Sequence, residues 1–341
     1  MKAIIKDIEY YLPSKILTNK ELAKNHPNWP AEKIAAKTGI TKRHIASKEE
    51  CSSDLGVKAA RKLFATGICD SNQIDYLLFC TQSPDYFLPT TACIIQERLN
   101  IPISSGAIDF NLGCSGYIYG LGLAKGLIET EQAKNVLLVT SETYSKFTHP
   151  DDMSARSLFS DASAATLIKC EKSKDKGSSF IGPFIYGTDG RGAENLIVPQ
   201  GPFRLHKNKK LKNSTADQAR NFRTAKNLYM NGSEIFTFTL IAVPSAIKKL
   251  LSKANLSLED IDLFVFHQAN KFMLEHLRKK MAIPKEKFYI NYQKIGNTVS
   301  STIPIALKDA INEGRLQTGN LVMLVGFGVG YSWGATIVKW E

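Results

Sequence analysis

Cys114 stands in Phe110-Asn111-Leu112-Gly113-Cys114-Ser115-Gly116, directly ahead of an apolar stretch, Tyr117 to Ala124, that predicts a buried helix. A cysteine at the first turn of a helix feels the positive end of the macrodipole, which favours thiolate over thiol. Glycines on both sides let another molecule approach the sulfur. A thiolate presented in this way is a nucleophile suited to taking up an acyl group. Two other polar groups stand in comparable settings. His267 opens His267-Gln268-Ala269-Asn270 after the apolar run Leu263-Phe264-Val265-Phe266, and Asn297 lies in Gly296-Asn297-Thr298 before a second apolar helix. Singly, each has a plainer reading: a small buried hydrophobe, a satisfied histidine, a turn residue. Their places in a repeat join them.

Ile74-Asp75-Tyr76-Leu77-Leu78-Phe79 matches Ile261-Asp262-Leu263-Phe264-Val265-Phe266, an offset of 187 (262 − 75). Gly113-Cys114-Ser115-Gly116 matches Gly296-Asn297-Thr298-Val299 at 183 (297 − 114), and Asn135-Val136-Leu137-Leu138-Val139 matches Asn320-Leu321-Val322-Met323-Leu324 at 185 (320 − 135). Three pairs in one order and at nearly one spacing argue for an internal duplication. The halves are 1–172, carrying the cysteine, and 173–341, carrying the histidine and the asparagine. Each reads as strand, helix, strand, with continuous apolar strands of the kind buried between helix layers, which makes the class α/β. The first half has a helix from about Ser52 to Ala65 and strands at 136–140 and 164–168. The second has a helix from about Ser233 to Lys253 and a closing strand at 335–339. Between them, residues 185–230 turn to Gly, Pro, Asn and Lys and read as a loop and insertion, placed as a lid. Pseudo-symmetry would set Cys114 and Asn297 at equivalent helix starts around one centre. His267 would join them from the end of its strand, where ligands bind in α/β sheets.

Composition sets the frame. The 341 residues are 43% hydrophobic and 22% charged, as in a globular protein. Six cysteines without a CxxC pair suggest neither a disulfide framework nor a zinc site, and fit a reducing cytoplasm. Met1 to Asp7 carries charge where a signal peptide needs apolar residues, and no apolar run approaches the ~20 residues of a membrane span. The net charge of +12 asks for a partner. No nucleic-acid-binding motif is legible. The basic residues gather at Arg204, Lys207, Lys209, Lys210 and Lys212, and at Arg278, Lys279 and Lys280, where an acidic protein or an anionic substrate would fit.

The segments around Cys114, His267 to Asn270, Gly296 to Thr298 and Gly326-Phe327-Gly328-Val329-Gly330-Tyr331-Ser332-Trp333-Gly334 resemble the beta-ketoacyl-acyl carrier protein synthases of the third type, in the thiolase superfamily. The resemblance continues through Lys37 to Ile45, Pro89 to Ala92 and Phe159 to Ala162, and so covers nearly the whole chain in order. It implies a five-layered αβαβα fold, a homodimer, and decarboxylative Claisen condensation without a cofactor or metal. Cys114 would accept an acyl group from coenzyme A or a carrier, and a malonyl thioester on acyl carrier protein would then lose carbon dioxide and attack it. Negative charge builds on the malonyl thioester oxygen, which calls for two hydrogen-bond donors. His267 and Asn297 would supply one each. A second pair would be the N–H of Cys114 and an N–H near Val329. The resemblance places Asn270 beside His267 as a positioning group, and Phe327 as a pocket wall that keeps water from the cysteine.

Among related chemistries, thiolases need a late second cysteine, and none follows Cys170; chain-elongating synthases need a second histidine where Asn297 stands. Acyl transfer to a hydroxyl or amine without condensation is the alternative, separable by carbon dioxide release. For substrates, the resemblance points to Lys37 and Gly328, and to Leu88 reaching the acyl pocket across the dimer. Lys33 and Met153 stand where the family's adenine-sandwiching tryptophan and arginine would be, with Trp29 and Arg156 nearby. Lys271, Arg278, Lys279 and Lys280 would face the acidic carrier protein.

Overall fold

The repeated Ile-Asp step makes the same hydrogen bonds twice. Asp75 Oδ2 accepts from the Asn135 N–H at 2.8 Å, and Asp262 Oδ2 accepts from the Leu321 N–H at 2.8 Å. The Asp75 N–H donates to Asn135 O, as that of Asp262 does to Leu321 O. Each aspartate thereby sets the register of the two parallel strands that follow.

The computed structural model describes residues 1–171, 181–201, 203–204 and 224–341. The half boundary at 172/173, and Lys207, Lys209, Lys210 and Lys212 of the expected insertion, lie outside the described residues. The strands are β1 (Lys2–Tyr11), β2 (Lys15–Thr18), β3 (Lys42–Ile45), β4 (Tyr76–Cys80), β5 (Gly106–Phe110), β6 (Asn135–Glu142), β7 (Ala162–Glu171), β8 (Ile181–Thr188), β9 (Leu196–Ile197), β10 (Tyr229–Met230), β11 (Leu263–Phe266), β12 (Phe288–Tyr289), β13 (Leu321–Gly328) and β14 (Ser332–Lys339). One five-stranded sheet runs β1-β7-β6-β4-β5 and the other β8-β14-β13-β11-β12. Strand senses match as well: β4 and β6, like β11 and β13, are parallel, whereas β6–β7 and β13–β14 are antiparallel. The duplication is therefore one of topology.

The helices Gly116–Glu129 and Thr302–Asn312 pack between the sheets. Their Ile118, Leu121, Ile303 and Leu307 share one core with Val136 and Leu138 of β6 and Val322 and Leu324 of β13. Each such side chain contributes about 1.5–3 kcal/mol by leaving water. Ser52–Ala65 and Thr91–Arg98 cover the outer face of the first sheet; Gly232–Ala254 and Lys271–Lys280 cover that of the second. The order is αβαβα.

Three readings are amended. Met1 to Asp7, read only for charge, falls largely within the strand Lys2–Tyr11, in which Ala3, Ile4, Ile5 and Ile8 are buried while it pairs with β7. Residues 185–188, read as loop, complete β8 against β14. The 23-residue helix Gly232–Ala254 is long and apolar enough, by length and composition, to cross a membrane, contrary to the sequence reading. Its Val243, Ile247 and Leu250 are buried against the second sheet as an outer-layer helix.

Candidate active site

Cys114 lies two residues before the Gly116–Glu129 helix and is 6% exposed. The end of β13 runs directly against it. A Cβ on Gly326 would come within 2.8 Å of the Cys114 carbonyl oxygen, and one on Gly328 within 2.9 Å of Sγ. Only hydrogen fits at either position. Around the cysteine, Tyr144, Ala155, Phe159, Leu196, Leu228 and Val299 form an apolar cluster. The Tyr144 hydroxyl donates to Gln82 Oε1 at 2.7 Å.

This burial overturns the expectation of a ready thiolate. Desolvation, and then the carboxyl of Glu142, push the Cys114 thiol up to about 12; the nearby backbone N–H groups of Cys114 and Val329 pull the other way. The dipole of one helix end, worth about 0.3–1 kcal/mol, cannot offset loss of solvent around a charge. Glu142, which sequence reasoning missed, is itself pushed up to about 8 by burial. It accepts from the Gln82 N–H, from Ser83 Oγ at 3.3 Å and from Ser300 Oγ at 2.9 Å.

Asn297 is 5% exposed and held by its backbone: its N–H donates to Leu158 O, and its carbonyl accepts from the Ser160 N–H. Its Oδ1 accepts from the Val299 N–H at 2.9 Å, which leaves both amide protons on Nδ2 for another acceptor. His267 leaves β11 with its N–H on Val325 O. Its Nδ1 is 2.7 Å from Thr302 Oγ1, and its ring meets Phe327 edge-on at 5.5 Å. Burial drives the imidazole down to about 3, so it stays neutral at working pH and keeps one N–H to donate.

The three groups are brought to one place through shared neighbours. Val299 packs in the cluster with Cys114 and binds Asn297. Phe327, against His267, adjoins Gly328, against the sulfur. Among the described residues no hydrogen bond joins the three side chains directly. Among the described residues no hydrogen bond joins Asn270 to His267; its side chain accepts from the Met273 N–H and caps the Lys271–Lys280 helix. Gln268, missed in sequence, pins this turn instead, donating to Phe266 O and accepting from the Asn291 N–H.

A cavity of about 920 Å³ opens beside this centre, and Leu158 and Met230 belong both to its wall and to the cluster around Cys114. Lys37, Lys271, Arg278 and Lys279 line it, and Lys280 is exposed beyond it. Arg278 is already engaged with Ile283 O and Glu275. The Lys37 and Lys33 ammonium groups lie 4.7 and 5.4 Å from the Trp29 ring centroid. Met153 is buried with Leu22 and Ile34, and Arg156 donates to Pro150 O. Leu88 is 81% exposed and stands outside the cluster around its own chain's sulfur.

A buried cysteine with the N–H groups of Cys114 and Val329 beside it, between two sheets of matching topology, defines the class of thiolase-like condensing enzymes. Residues 108–190 match the family described as 3-oxoacyl-[acyl-carrier-protein (ACP)] synthase III, and residues 251–340 its C-terminal part. A beta-ketoacyl-[acyl-carrier-protein] synthase III of Clostridium tetani is 38% identical, over 97% of this chain and 96% of its own. A crystal structure of a 3-oxoacyl-(acyl-carrier-protein) synthase III is 52% identical with a TM-score of 0.97, covering 100% of both chains. That of a 3-oxoacyl-(acyl-carrier protein) synthase from Burkholderia xenovorans LB400 is 35% identical with a TM-score of 0.92, over 100% of this chain and 95% of the other. The chain belongs to the beta-ketoacyl-[acyl-carrier-protein] synthase III family. It is an acyl-transferring condensing enzyme of fatty acid biosynthesis.

Proposed function

We propose that Cys114 carries the acyl group and that His267 and Asn297 activate a malonyl thioester on acyl carrier protein. In the first step the sulfur attacks the thioester carbonyl of an acyl-coenzyme A or acyl-carrier donor. The bond to the donor sulfur breaks, and the Cys114 proton goes to the departing thiolate. The N–H groups of Cys114 and Val329 hold the developing oxyanion. In the second step the malonyl carboxylate leaves as carbon dioxide, and its electron pair forms an enolate. The enolate oxygen takes hydrogen bonds from His267 and from Asn297 Nδ2. The enolate carbon attacks the Cys114 thioester, the C–S bond breaks, and the thiolate takes a proton from solvent.

The observation that carries this reading is the pairing of a neutral imidazole with an amide whose oxygen is already occupied, beside a sulfur that meets backbone N–H groups. The Asn297 amide then turns its Nδ2 protons toward a substrate oxygen, and the ring donates there when Nε2 carries its proton, which suits decarboxylation. The basic rim of Lys37, Lys271 and Lys279 fits an acidic carrier and its phosphorylated arm. Among the described residues β5 is an edge strand, and with Ile108, Phe87 and Leu88 exposed nearby it fits a second copy of the chain, into whose acyl pocket Leu88 would reach. The test supplies an acyl donor and malonyl-acyl carrier protein. Acyl-Cys114, carbon dioxide and a 3-oxoacyl product are expected; full condensation by Cys114→Ala would end the reading, and light scattering at one protomer's mass would end the dimer.

A further inference from the structure

Val299 and Thr302 tie the two donors of the site to the backbone of a single residue. Val299 holds φ at +56°, a left-handed conformation that a β-branched residue rarely adopts. The unusual turn points its N–H back at Asn297 Oδ1, at 2.9 Å, and its carbonyl toward Thr302. Such outliers persist where the surroundings demand them, and here both the N–H and the carbonyl of Val299 are in use.

Thr302 opens the Thr302–Asn312 helix and is 2% exposed. Its Oγ1 lies 2.7 Å from His267 Nδ1 and 3.0 Å from Val299 O. The hydroxyl has one proton for two possible acceptors, and the ring also faces the Val299 backbone; where the hydroxyl proton goes biases which ring nitrogen carries hydrogen. If it goes to Val299 O, Nδ1 must be protonated and Nε2 is bare. If it goes to Nδ1, Nε2 carries the N–H. The Val299 carbonyl already receives the backbone N–H of Thr302, so it does not depend on the hydroxyl.

We propose that Thr302 is a positioning residue whose hydroxyl donates to His267 Nδ1 and thereby holds the proton on Nε2, where it meets the substrate oxygen. The inference rests on the reading of His267 as an oxyanion donor. A ring of the opposite tautomer would present a lone pair to that oxygen and oppose the charge formed during decarboxylation. The strained Val299 backbone serves both donors at once: it fixes the Asn297 amide and frees the threonine for the histidine.

The experiment has two arms. Nitrogen spectra of the full-length protein with labelled histidine, with His267→Asn assigning the signal, are expected to show a neutral ring protonated at Nε2. Thr302→Val should move the proton to Nδ1 or mix the tautomers, and Thr302→Ser should restore the original pattern. In kinetics, the ratio of carbon dioxide release from malonyl-acyl carrier protein to acylation of Cys114 should fall about 10²-fold in Thr302→Val, as for loss of one oxyanion donor, and recover in Thr302→Ser. Thr302→Ala repeats the test should the valine not fold. A wild-type ring protonated at Nδ1, or a Thr302→Val protein with an unchanged ratio, overturns the proposal. So does a parallel loss of both steps that serine fails to rescue. Absence of carbon dioxide release in the wild type would instead defeat the condensing reading, while the ring spectra still judge Thr302.

Discussion

Gly328 lies so close to Cys114 that a methyl group there would stand 2.8 Å from the cysteine Cβ and 2.9 Å from its sulfur. Backbone from the second half thus forms the floor beneath a nucleophile from the first. Gly328→Ala forces the cysteine or β13 to shift, at a cost of about 1–3 kcal/mol as for other overpacked cores. Intact-mass kinetics should show Cys114 acylation slowed at least about 10²-fold, as for a misplaced reacting atom, with circular dichroism unchanged. Wild-type acylation by this variant would refute the contact.

Glu142 links stability to reactivity. Its carboxyl titrates near 4.5 when unfolded and near 8 in the fold. A raised acid contributes most below pH 4.5, and that contribution is lost as pH rises through about 8. The melting temperature of Glu142→Gln relative to wild type should therefore improve between pH 5 and pH 8.5. Alkylation of Cys114, whose thiol Glu142 helps push up, should also shift to lower pH in the variant. Parallel melting profiles for the two proteins would show that the carboxyl is not buried as described.

His267 resists protonation down to about pH 3. Carbon dioxide release by the wild type should therefore lack the usual histidine limb near 6.5. Stability behaves oppositely: the unfolded ring takes a proton that the folded ring refuses, so the free energy of unfolding falls as pH drops from 6.5 toward 3. An activity inflection near 6.5 assigned to His267 by nitrogen titration would contradict the buried neutral ring.

Lys271 and Lys279 are exposed on the cavity rim, whereas Arg278 is tied to Glu275. Lys271→Glu with Lys279→Glu should raise KM for the malonyl carrier substrate about 10-fold, equivalent to about 1.4 kcal/mol, with kcat little changed and a weaker salt dependence. Arg278→Gln should act mainly on stability. Equal KM values for the carrier substrate in wild type and double variant would remove this rim from carrier docking.

Much of this protein was legible in one dimension because its signals are local. Continuous apolar strands, the Ile-Asp steps and the small-residue turns at Cys114 and Asn297 repeat at a nearly constant offset, so a duplicated α/β architecture followed from order alone. Ser52–Ala65 was legible to the residue, as polar starts and apolar periodicity are properties of neighbours. Tertiary packing decided the rest. The state of the Cys114 thiol is set by solvent removed by distant residues and by a carboxyl 28 positions downstream (142 − 114), neither visible in the helix start that argued for a thiolate. Asn270 turned out to be a helix cap, and Thr302 the partner of His267, because hydrogen-bond choice depends on which groups the fold brings within 3 Å. Sequence determined which groups could meet; three-dimensional burial determined their protonation and their partners.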